Sequence, residues 1–149
     1  MNPVLSINTL AYEGYDLTTA LQEIAKIGIN HVQLGYTQGW TEGLTEEHFS
    51  EASAADLNRL LSDLGLSSIA ISAHIDLTTE AAVDELKRRI DFGKRLGAKI
   101  VNTKVGARSG LKQFVNDIVP IAGYGGWVGM GVGLVVGCGG GGGCCGGGG

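Results

Sequence analysis

The chain has 149 residues, a mass of 15.4 kDa and a formal net charge of −4, with 11 Lys and Arg against 15 Asp and Glu. This length allows one domain of ordinary size, and the negative balance argues against a nucleic-acid binder with a basic surface. No charged segment followed by an apolar one opens the sequence, and no uninterrupted run of ~20 apolar residues occurs. We therefore expect a soluble, cytoplasmic domain with neither a nucleic-acid nor a membrane partner.

Glycine divides the chain into two parts at about Ala122. Residues 1–122 contain 10 glycines, whereas residues 123–149 contain 16 in 27 positions and no charged residue. We expect a folded domain over residues 1–122 and a low-complexity tail over residues 123–149. Glycine loses much backbone entropy on ordering and has no side chain to bury, so the tail is predicted to be disordered. Its residue types fit codons of mostly G and T, which also indicates an artefactual origin such as a frame error.

All three cysteines, Cys138, Cys144 and Cys145, lie in this tail. The absence of cysteine from residues 1–122 is typical of a reducing compartment and excludes a disulfide framework there. Zinc ligands come in pairs two to four residues apart, with a second pair following. The spacing of these three cysteines differs from that pattern, so the sequence favours a tail without a metal site.

Four strand-like segments alternate with four helical segments in residues 1–122. The predicted strands are residues 3–10, 29–34, 67–74 and 98–105. Apolar residues at helical spacing predict helices from Asp16 to Gly28, from Ser53 to Gly65, from Thr79 to Gly97, and onward from Ser109. Alternating strands and helices, at about 30 residues for each pair, predict a parallel α/β sheet.

Two architectures share this element order, a doubly wound sheet and the first four units of a (β/α)8 barrel. A dinucleotide-binding doubly wound sheet carries G-x-G-x-x-G directly after its first strand. Here the first strand runs into A-Y-E-G-Y-D, without that glycine pattern. The sequence therefore favours the barrel and argues against dinucleotide binding.

Alternation within the strands predicts one aliphatic face and one face that becomes polar toward the carboxyl ends of the strands. Barrel active sites lie at those ends. A solvated sheet face is the alternative, but parallel sheets are normally covered on both sides. We predict that the polar positions bind the substrate, and these are Asn8, Gln33, His74, Asn102 and Lys104.

Each of these positions also has a purely structural interpretation. Gln33 and Asn102 belong to residue types that cap loops, and Lys104 to a type that is often simply solvated. A histidine at a strand end, such as His74, is also often a satisfied structural group. Asp76 follows two residues later, where a carboxylate is placed to orient the imidazole through one ring nitrogen.

A basic run occupies the third predicted helix. Lys87, Arg88 and Arg89, with Lys94 and Arg95 further on, alternate with acidic residues around the helix. Charges spread in this way are typical of a solvated helix face. We therefore expect these side chains to be exposed.

Several segments together resemble the N-terminal half of the xylose isomerase-like TIM barrels. They are S-I-N-T-L, G-I-N-H-V-Q-L, I-A-I-S-A-H-I-D, the helix ending R-L-G-A, and K-I-V-N-T-K-V-G. The resemblance implies a closed eight-stranded barrel and a sugar or sugar-phosphate isomerase or epimerase. It also implies a divalent cation (Mn, Mg, Co or Zn) that binds the substrate oxygens while two carboxylates move a proton between neighbouring carbons.

The chain departs from that family in two ways. The family's metal ligands and catalytic carboxylates come mainly from strands five to eight, and this sequence turns to glycine before a fifth strand. Gln33 stands where the family usually has a glutamate, and an amide cannot act as a general base. His74 matches the third-strand histidine, a zinc ligand in the endonuclease branch and a substrate contact in the isomerases.

These departures predict an incomplete, inactive fragment that contributes neither a catalytic residue nor a metal ligand of its own. The expected partners are a small-molecule sugar or sugar phosphate and, for assembly, a second copy of the chain. Two alternatives stay open. One is a non-catalytic carbohydrate-binding or assembly fragment, and the other is a phosphodiesterase resembling the apurinic endonucleases, which the acidic composition disfavours.

Overall fold

The computed structural model describes residues 4–37, 45–77, 79, 81–104 and 111–135. Short 3-10 helices at Thr9–Tyr12 and Glu46–Phe49 precede the first and second α-helices. The main elements are, in chain order, β1 (Ile7–Asn8), α1 (Leu17–Lys26), β2 (His31–Gly35), α2 (Glu51–Asp63), β3 (Ser67–Ser72), α3 (Ala82–Arg95), β4 (Ile100–Lys104), α4 (Leu111–Val128) and β5 (Gly131–Val135).

The five strands form one parallel sheet in the order β1-β2-β3-β4-β5. Each strand therefore pairs with the next one along the chain. A doubly wound sheet would reverse its strand order at a switch point, whereas a barrel adds strands in sequence. The predicted parallel (β/α) fold is confirmed, and it is of the barrel type.

Local hydrogen bonds set the ends of the elements. Asp16 caps α1 as expected, because its Oδ1 accepts the N–H of Thr19 at 2.9 Å. Ser50 caps α2 by accepting the N–H of Ser53 at 3.2 Å, so this helix begins before the predicted start at Ser53. The helix predicted from Thr79 begins instead at Ala82, because Thr79 N–H and Oγ1 both donate to the carbonyl of Asp76 in a turn.

The core lies between the sheet and the helices. Three aromatic rings at its centre, Tyr36, Phe49 and Phe92, meet edge to face with centroids 5.4 to 5.5 Å apart. Tyr36 follows β2, Phe49 ends the second 3-10 helix, and Phe92 lies in α3. The cluster therefore joins the connection after β2 to the third helix.

Arg89 contradicts the expectation that the whole basic run of α3 is exposed. Its side chain is 1% exposed, and its guanidinium lies 4.3 Å from the centre of the Phe49 ring. Nη2 donates to Glu46 Oε1 at 2.7 Å, and Nη1 donates to the carbonyl of Glu85 at 2.8 Å. The sequence pattern of α3 does not reveal this partner, because Glu46 lies on a different element.

Residues 123–135 contradict the expectation that regular structure ends at Ala122. Helix α4 continues to Val128 and β5 pairs with β4 over its whole length. Tyr124 Oη donates to Asp91 Oδ1 at 2.6 Å, and Met130 is buried in the core. The apolar side chains between these glycines supply enough contacts for the (β/α) repeat to continue.

Residues 136–149, including the three cysteines, lie outside the described residues. Their assignment to a separate tail therefore stays a prediction. Within the described ranges, no helix combines the length and the apolar character needed to cross a membrane.

Candidate functional site

One face of the sheet carries four of the five polar residues that the sequence singles out, and the fifth, His74, follows the end of β3. Ile71 belongs to the opposite face, because its Cδ1 would lie 3.1 Å from a Cβ placed on Gly93 of α3. In β4, Val101 and Thr103 are buried toward the helices, while the alternate positions are more accessible. The inner face is defined here as the side away from the helices, with Asn8, Gln33, Ala70, Ser72, Ile100, Asn102, Lys104, Gly131 and Gly133.

Strand register places these residues in rows. Asn8 is the partner of Gln33, and Gln33 is the partner of Ala70. Further toward the carboxyl ends, Ser72 is the partner of Asn102. The polar side chains predicted from alternation therefore come from neighbouring strands and share one face.

Asn8 has a structural role. Its Oδ1 accepts the N–H of Leu10 at 3.0 Å and so caps the 3-10 helix that follows β1. This bond also explains why the first strand is shorter than predicted, since the chain turns into that helix at Thr9. The Asn8 side chain is thus held at the edge of the inner face.

His74 lies two residues beyond the end of β3, close to Ser72. Its Nε2 and the Ser72 Oγ form a hydrogen bond of 3.0 Å. The other ring nitrogen, Nδ1, is out of solvent and has no hydrogen-bond partner among the described residues. Burial lowers the pKa of the His74 imidazole below its ordinary value, and the charge of Lys104 acts in the same direction. The ring is therefore neutral at pH 7.

Ser72, rather than Asp76, holds the imidazole. Within the described part of the chain Nδ1 has no hydrogen-bond partner and Nε2 is paired with the serine, so neither ring nitrogen is bonded to the Asp76 carboxylate there. Sequence alternation places Ser72 on the same face as His74, but a serine inside an apolar strand does not stand out as a site residue. Its position two residues before a strand-end histidine is the signal that could have found it.

Asn102 reaches over the neighbouring strand. A Cβ on Gly133 would overlap the Asn102 Oδ1, so the amide occupies space that only glycine leaves free. The same holds at the other side of the face, where the Leu10 side chain takes the place of a Cβ on Gly35. At both positions the absence of a Cβ leaves room for a side chain from a neighbouring element.

Lys104 ends β4 and is exposed. It forms no ion pair with another described residue. Gln33, by contrast, is partly buried between Asn8 and Ala70, in the row nearer the amino ends of the strands. The structure therefore brings His74, Asn102 and Lys104 together at the carboxyl ends of β3 and β4, with Asn8 and Gln33 one row below.

The described residues do not fit the divalent cation that the family resemblance implies. No group of three His, Cys, Asp or Glu side chains is close enough to hold a metal in the part of the chain that the structure describes. The inner-face rows contain amides, one hydroxyl and one ammonium, together with a neutral imidazole. A cationic Lys104 near His74 further opposes the binding of a second positive charge.

Comparison with known proteins rests on the fold alone. No protein-family model and no curated protein matches the chain. A xylose isomerase-like TIM barrel protein from Mycobacterium smegmatis, in complex with magnesium, matches with a TM-score of 0.65 at 15% identity, over 87% of this chain and 54% of that one. The chain has the fold of a xylose isomerase-like TIM barrel.

Two further solved structures agree with this fold assignment. A xylose isomerase domain protein from Planctomyces limnophilus matches with a TM-score of 0.62 at 16% identity, over 88% of this chain and 53% of that one. A sugar phosphate isomerase/epimerase from Parabacteroides distasonis matches with a TM-score of 0.62 at 13% identity, over 91% and 52% respectively. The chain thus spans about half the length of the xylose isomerase-like structures that it matches.

Proposed function

We propose that this chain is the sugar-binding half of a sugar or sugar-phosphate isomerase or epimerase with the xylose isomerase-like fold. The observation that carries the proposal is the cluster at the carboxyl ends of β3 and β4. There a His74–Ser72 pair lies beside Asn102 and Lys104 on the neighbouring strand. In barrels of this type, this end of the sheet is where substrates bind.

The chemistry of the inner face suits a polyhydroxylated ligand. Gln33 and Asn102 each offer an amide that both donates and accepts, and the neutral His74 ring has one nitrogen, Nδ1, that is not paired with a described residue. Neighbouring sugar hydroxyls need such mixed partners, because each hydroxyl donates one hydrogen bond and accepts others. An array of this kind binds and orients a sugar without requiring a charge on it.

Proton transfer between neighbouring carbons needs an acid and a base within hydrogen-bond reach of the substrate. Neutral His74 is the one side chain of the inner cluster able to accept a proton near pH 7, and the inner-face rows supply no carboxylate. We therefore propose that isomerisation belongs to a completed barrel whose carboxylates and divalent cation (Mn, Mg, Co or Zn) come from residues outside the described ones. The cytoplasmic location expected from cysteine placement is part of the same proposal.

The second candidate function is a non-catalytic carbohydrate-binding protein. The lack of an inner-face carboxylate favours it, since proton transfer between carbons needs both an acid and a base and His74 supplies only one of them. Ketose epimerisation by the completed barrel in the presence of Mn2+ would separate the two candidates, because only the first predicts turnover. Both require sugar binding at the same cluster.

The test is the affinity of the protein for D-xylose and D-fructose, measured by NMR titration. Substitution His74→Ala removes the ring beside Asn102, and we expect at least a ~10-fold loss of affinity, which is the scale of one positioned polar contact. His31→Ala is a matched control. His31 Nδ1 pairs with Ser67 Oγ at 2.7 Å, which mirrors the His74–Ser72 pair at the opposite end of the sheet.

The control substitution should leave the affinity within about twofold, because the amino ends of the strands face away from the cluster. A free energy of unfolding within about 1 kcal/mol of the parent is expected for His74→Ala, since the ring is only half-buried. Equal losses of affinity in both variants would contradict the proposed site. Normal affinity in a folded His74→Ala protein would do the same.

A further inference from the structure

Charge is distributed unevenly along the chain. Residues 1–80 contain two Lys and Arg against 11 Asp and Glu, whereas residues 81–149 contain nine Lys and Arg against four Asp and Glu. The two parts therefore have formal net charges of −9 and +5. Strands β1 to β3 belong to the first part, and β4 and β5 to the second. The strand order thus places the acidic part at one edge of the sheet and the basic part at the other.

The same polarity is present close to the two edges, at the carboxyl ends of the strands. Exposed Glu13 and Asp16 lie on the connection from β1 to α1. Exposed Lys104 ends β4, and exposed Lys112 lies in the first turn of α4, which leads to β5. None of these four side chains forms an ion pair with another described residue. We call the β1 side with its two carboxylates the acidic edge, and the β5 side with its two cations the basic edge.

The outermost strands each have one side without a neighbouring strand. Among the described residues, β1 pairs with β2 alone and β5 with β4 alone. All five strands are parallel, so a β1 strand from a second copy can continue the sheet beyond β5 in the same direction. Strand β5 has five residues and β1 has two. Residues 4–8 together would match the length of β5.

Apolar side chains next to these free sides are exposed in the single chain. Leu5 is 70% exposed and Leu134 of β5 is 41% exposed. Ile7 packs against the core, so alternation places Leu5 on the same helix side once residues 4–6 are extended. Leu134 lies on the helix side as well, because it alternates with Gly133 of the inner face. Pairing of the two segments would therefore remove both leucine side chains from water.

We propose that the free side of β5 in one copy pairs in parallel with residues 4–8 of a second copy, so that the basic edge of one copy meets the acidic edge of the other. Contact between two acidic edges would bring carboxylates together, and contact between two basic edges would bring cations together. Charge thus opposes both symmetric alternatives and favours the head-to-tail interface. This interface does not depend on sugar binding and goes beyond the proposed function.

Two complementary variants of the full chain test the head-to-tail interface. Leu5→Lys places a cation where the basic edge of the next copy docks, and Leu134→Glu places an acid where the acidic edge docks. We expect each variant alone to self-associate at least about tenfold more weakly than the parent protein in sedimentation equilibrium. An equimolar mixture of the two should associate again. In that mixture the unchanged β5 edge of the first variant meets the unchanged β1 edge of the second.

Charge reversal at an exposed position is a second test that leaves the apolar contacts intact. Glu13→Lys should weaken self-association by about three- to fivefold, the scale of one exposed ion pair. Glu51→Lys is the matched control, because it makes the same change in net charge at an exposed position of α2, between β2 and β3. It should leave the affinity unchanged. Added salt should weaken self-association of the parent protein, since exposed charges are screened.

Several outcomes would overturn the interface. They are a parent protein that stays monomeric at millimolar concentration, a Leu5→Lys or Leu134→Glu protein that associates as tightly as the parent, and a mixture that stays monomeric although both variants have the circular dichroism of the parent. Equal effects of Glu13→Lys and Glu51→Lys would do the same, and this pair decides the question if either leucine variant fails to fold. Failure of sugar binding would leave the interface intact, so the two proposals are tested separately.

Discussion

Glu46 and Arg89 show how a single pair of residues can hold two distant parts of the chain together. The buried guanidinium of Arg89 lies between the Phe49 ring and the Glu46 carboxylate. Arg88 Nε also donates to Glu46, at 3.0 Å. Partial burial by itself would raise the pKa of the Glu46 carboxyl, but hydrogen bonds from both arginines outweigh it and hold that pKa below its ordinary value.

We predict that Glu46→Gln destabilises the protein by about 1–2 kcal/mol at pH 7. Breaking a fully buried pair usually costs more, but the Glu46 side chain is 44% exposed, so solvent screens part of the effect. Glu47→Gln is the control, since Glu47 is its exposed neighbour with no side-chain partner described. Urea unfolding of the three proteins measures the difference, and equal free energies for both variants would contradict the assigned role of Glu46.

The same pair predicts how stability depends on pH. The Glu46 carboxyl has a lower pKa in the folded protein than in the unfolded chain, where the ordinary value is about 4.3. The unfolded chain therefore binds the proton more readily, and stability rises with pH in this window. The contribution is present above that ordinary value and is lost as the pH falls through the folded one. Glu46→Gln should flatten this part of the curve, whereas Glu47→Gln should not.

The packing of strand β5 against helix α4 depends on one glycine of the helix and not on its neighbour. A Cβ on Gly125 would lie 2.9 Å from Val132 Cγ2 and 3.0 Å from the carbonyl oxygen of Met130. Gly126, the next residue in the same helix, has nothing within 4 Å of that position. One glycine thus allows β5 to approach the helix, while the other only lowers helix propensity.

This difference predicts opposite effects for two adjacent substitutions. Gly125→Ala should destabilise the protein by about 1–3 kcal/mol, because the added methyl meets backbone that cannot move aside. Gly126→Ala should stabilise it by up to about 1 kcal/mol through helix propensity and a less flexible unfolded chain. Thermal unfolding of both variants checks the prediction. Two equal shifts would mean that residues 123–135 do not pack as described.

Among the described residues, apolar side chains are exposed near both ends of the strand order β1 to β5. Val4 and Leu5 are exposed before β1, and Ile100, Val119 and Leu134 are exposed around β4, α4 and β5. In a closed barrel such side chains would face further strands and helices. Self-association of the chain is expected for the same reason, and it stays a prediction for size measurement by light scattering.

We predict that a chain ending at Val135 has a larger free energy of unfolding than a chain ending at Ala122. The shorter chain lacks the buried side chain of Met130, the Tyr124–Asp91 hydrogen bond and the pairing of β5 with β4. Loss of the Met130 side chain alone removes about 1.5–3 kcal/mol of burial energy. Denaturant unfolding of the two truncated proteins gives the difference, and coincident curves would support the boundary at residue 122 instead.

The sequence predicts the (β/α) repeat, the polar face of the sheet and the residue types on that face, since these follow from local patterns. Helical periodicity gives α1 to α3, and alternation in β3 and β4 places His74 and Lys104 on the face away from the helices. The same alternation identifies Asn102 and Gln33 as polar positions of that face. Such features repeat every two or about 3.6 residues, so a short stretch of chain contains all the information they need.

Only the tertiary structure determines which residues from distant parts of the chain contact each other. The Glu46–Arg89 pair joins residues 43 positions apart, Asn102 lies over Gly133, and Ser72 takes the imidazole that Asp76 was expected to orient. The packing of residues 123–135 also depends on tertiary structure, because a glycine there allows close packing only where another element approaches it. Contacts of this kind depend on strand register and helix packing, and no local periodicity of the sequence specifies either.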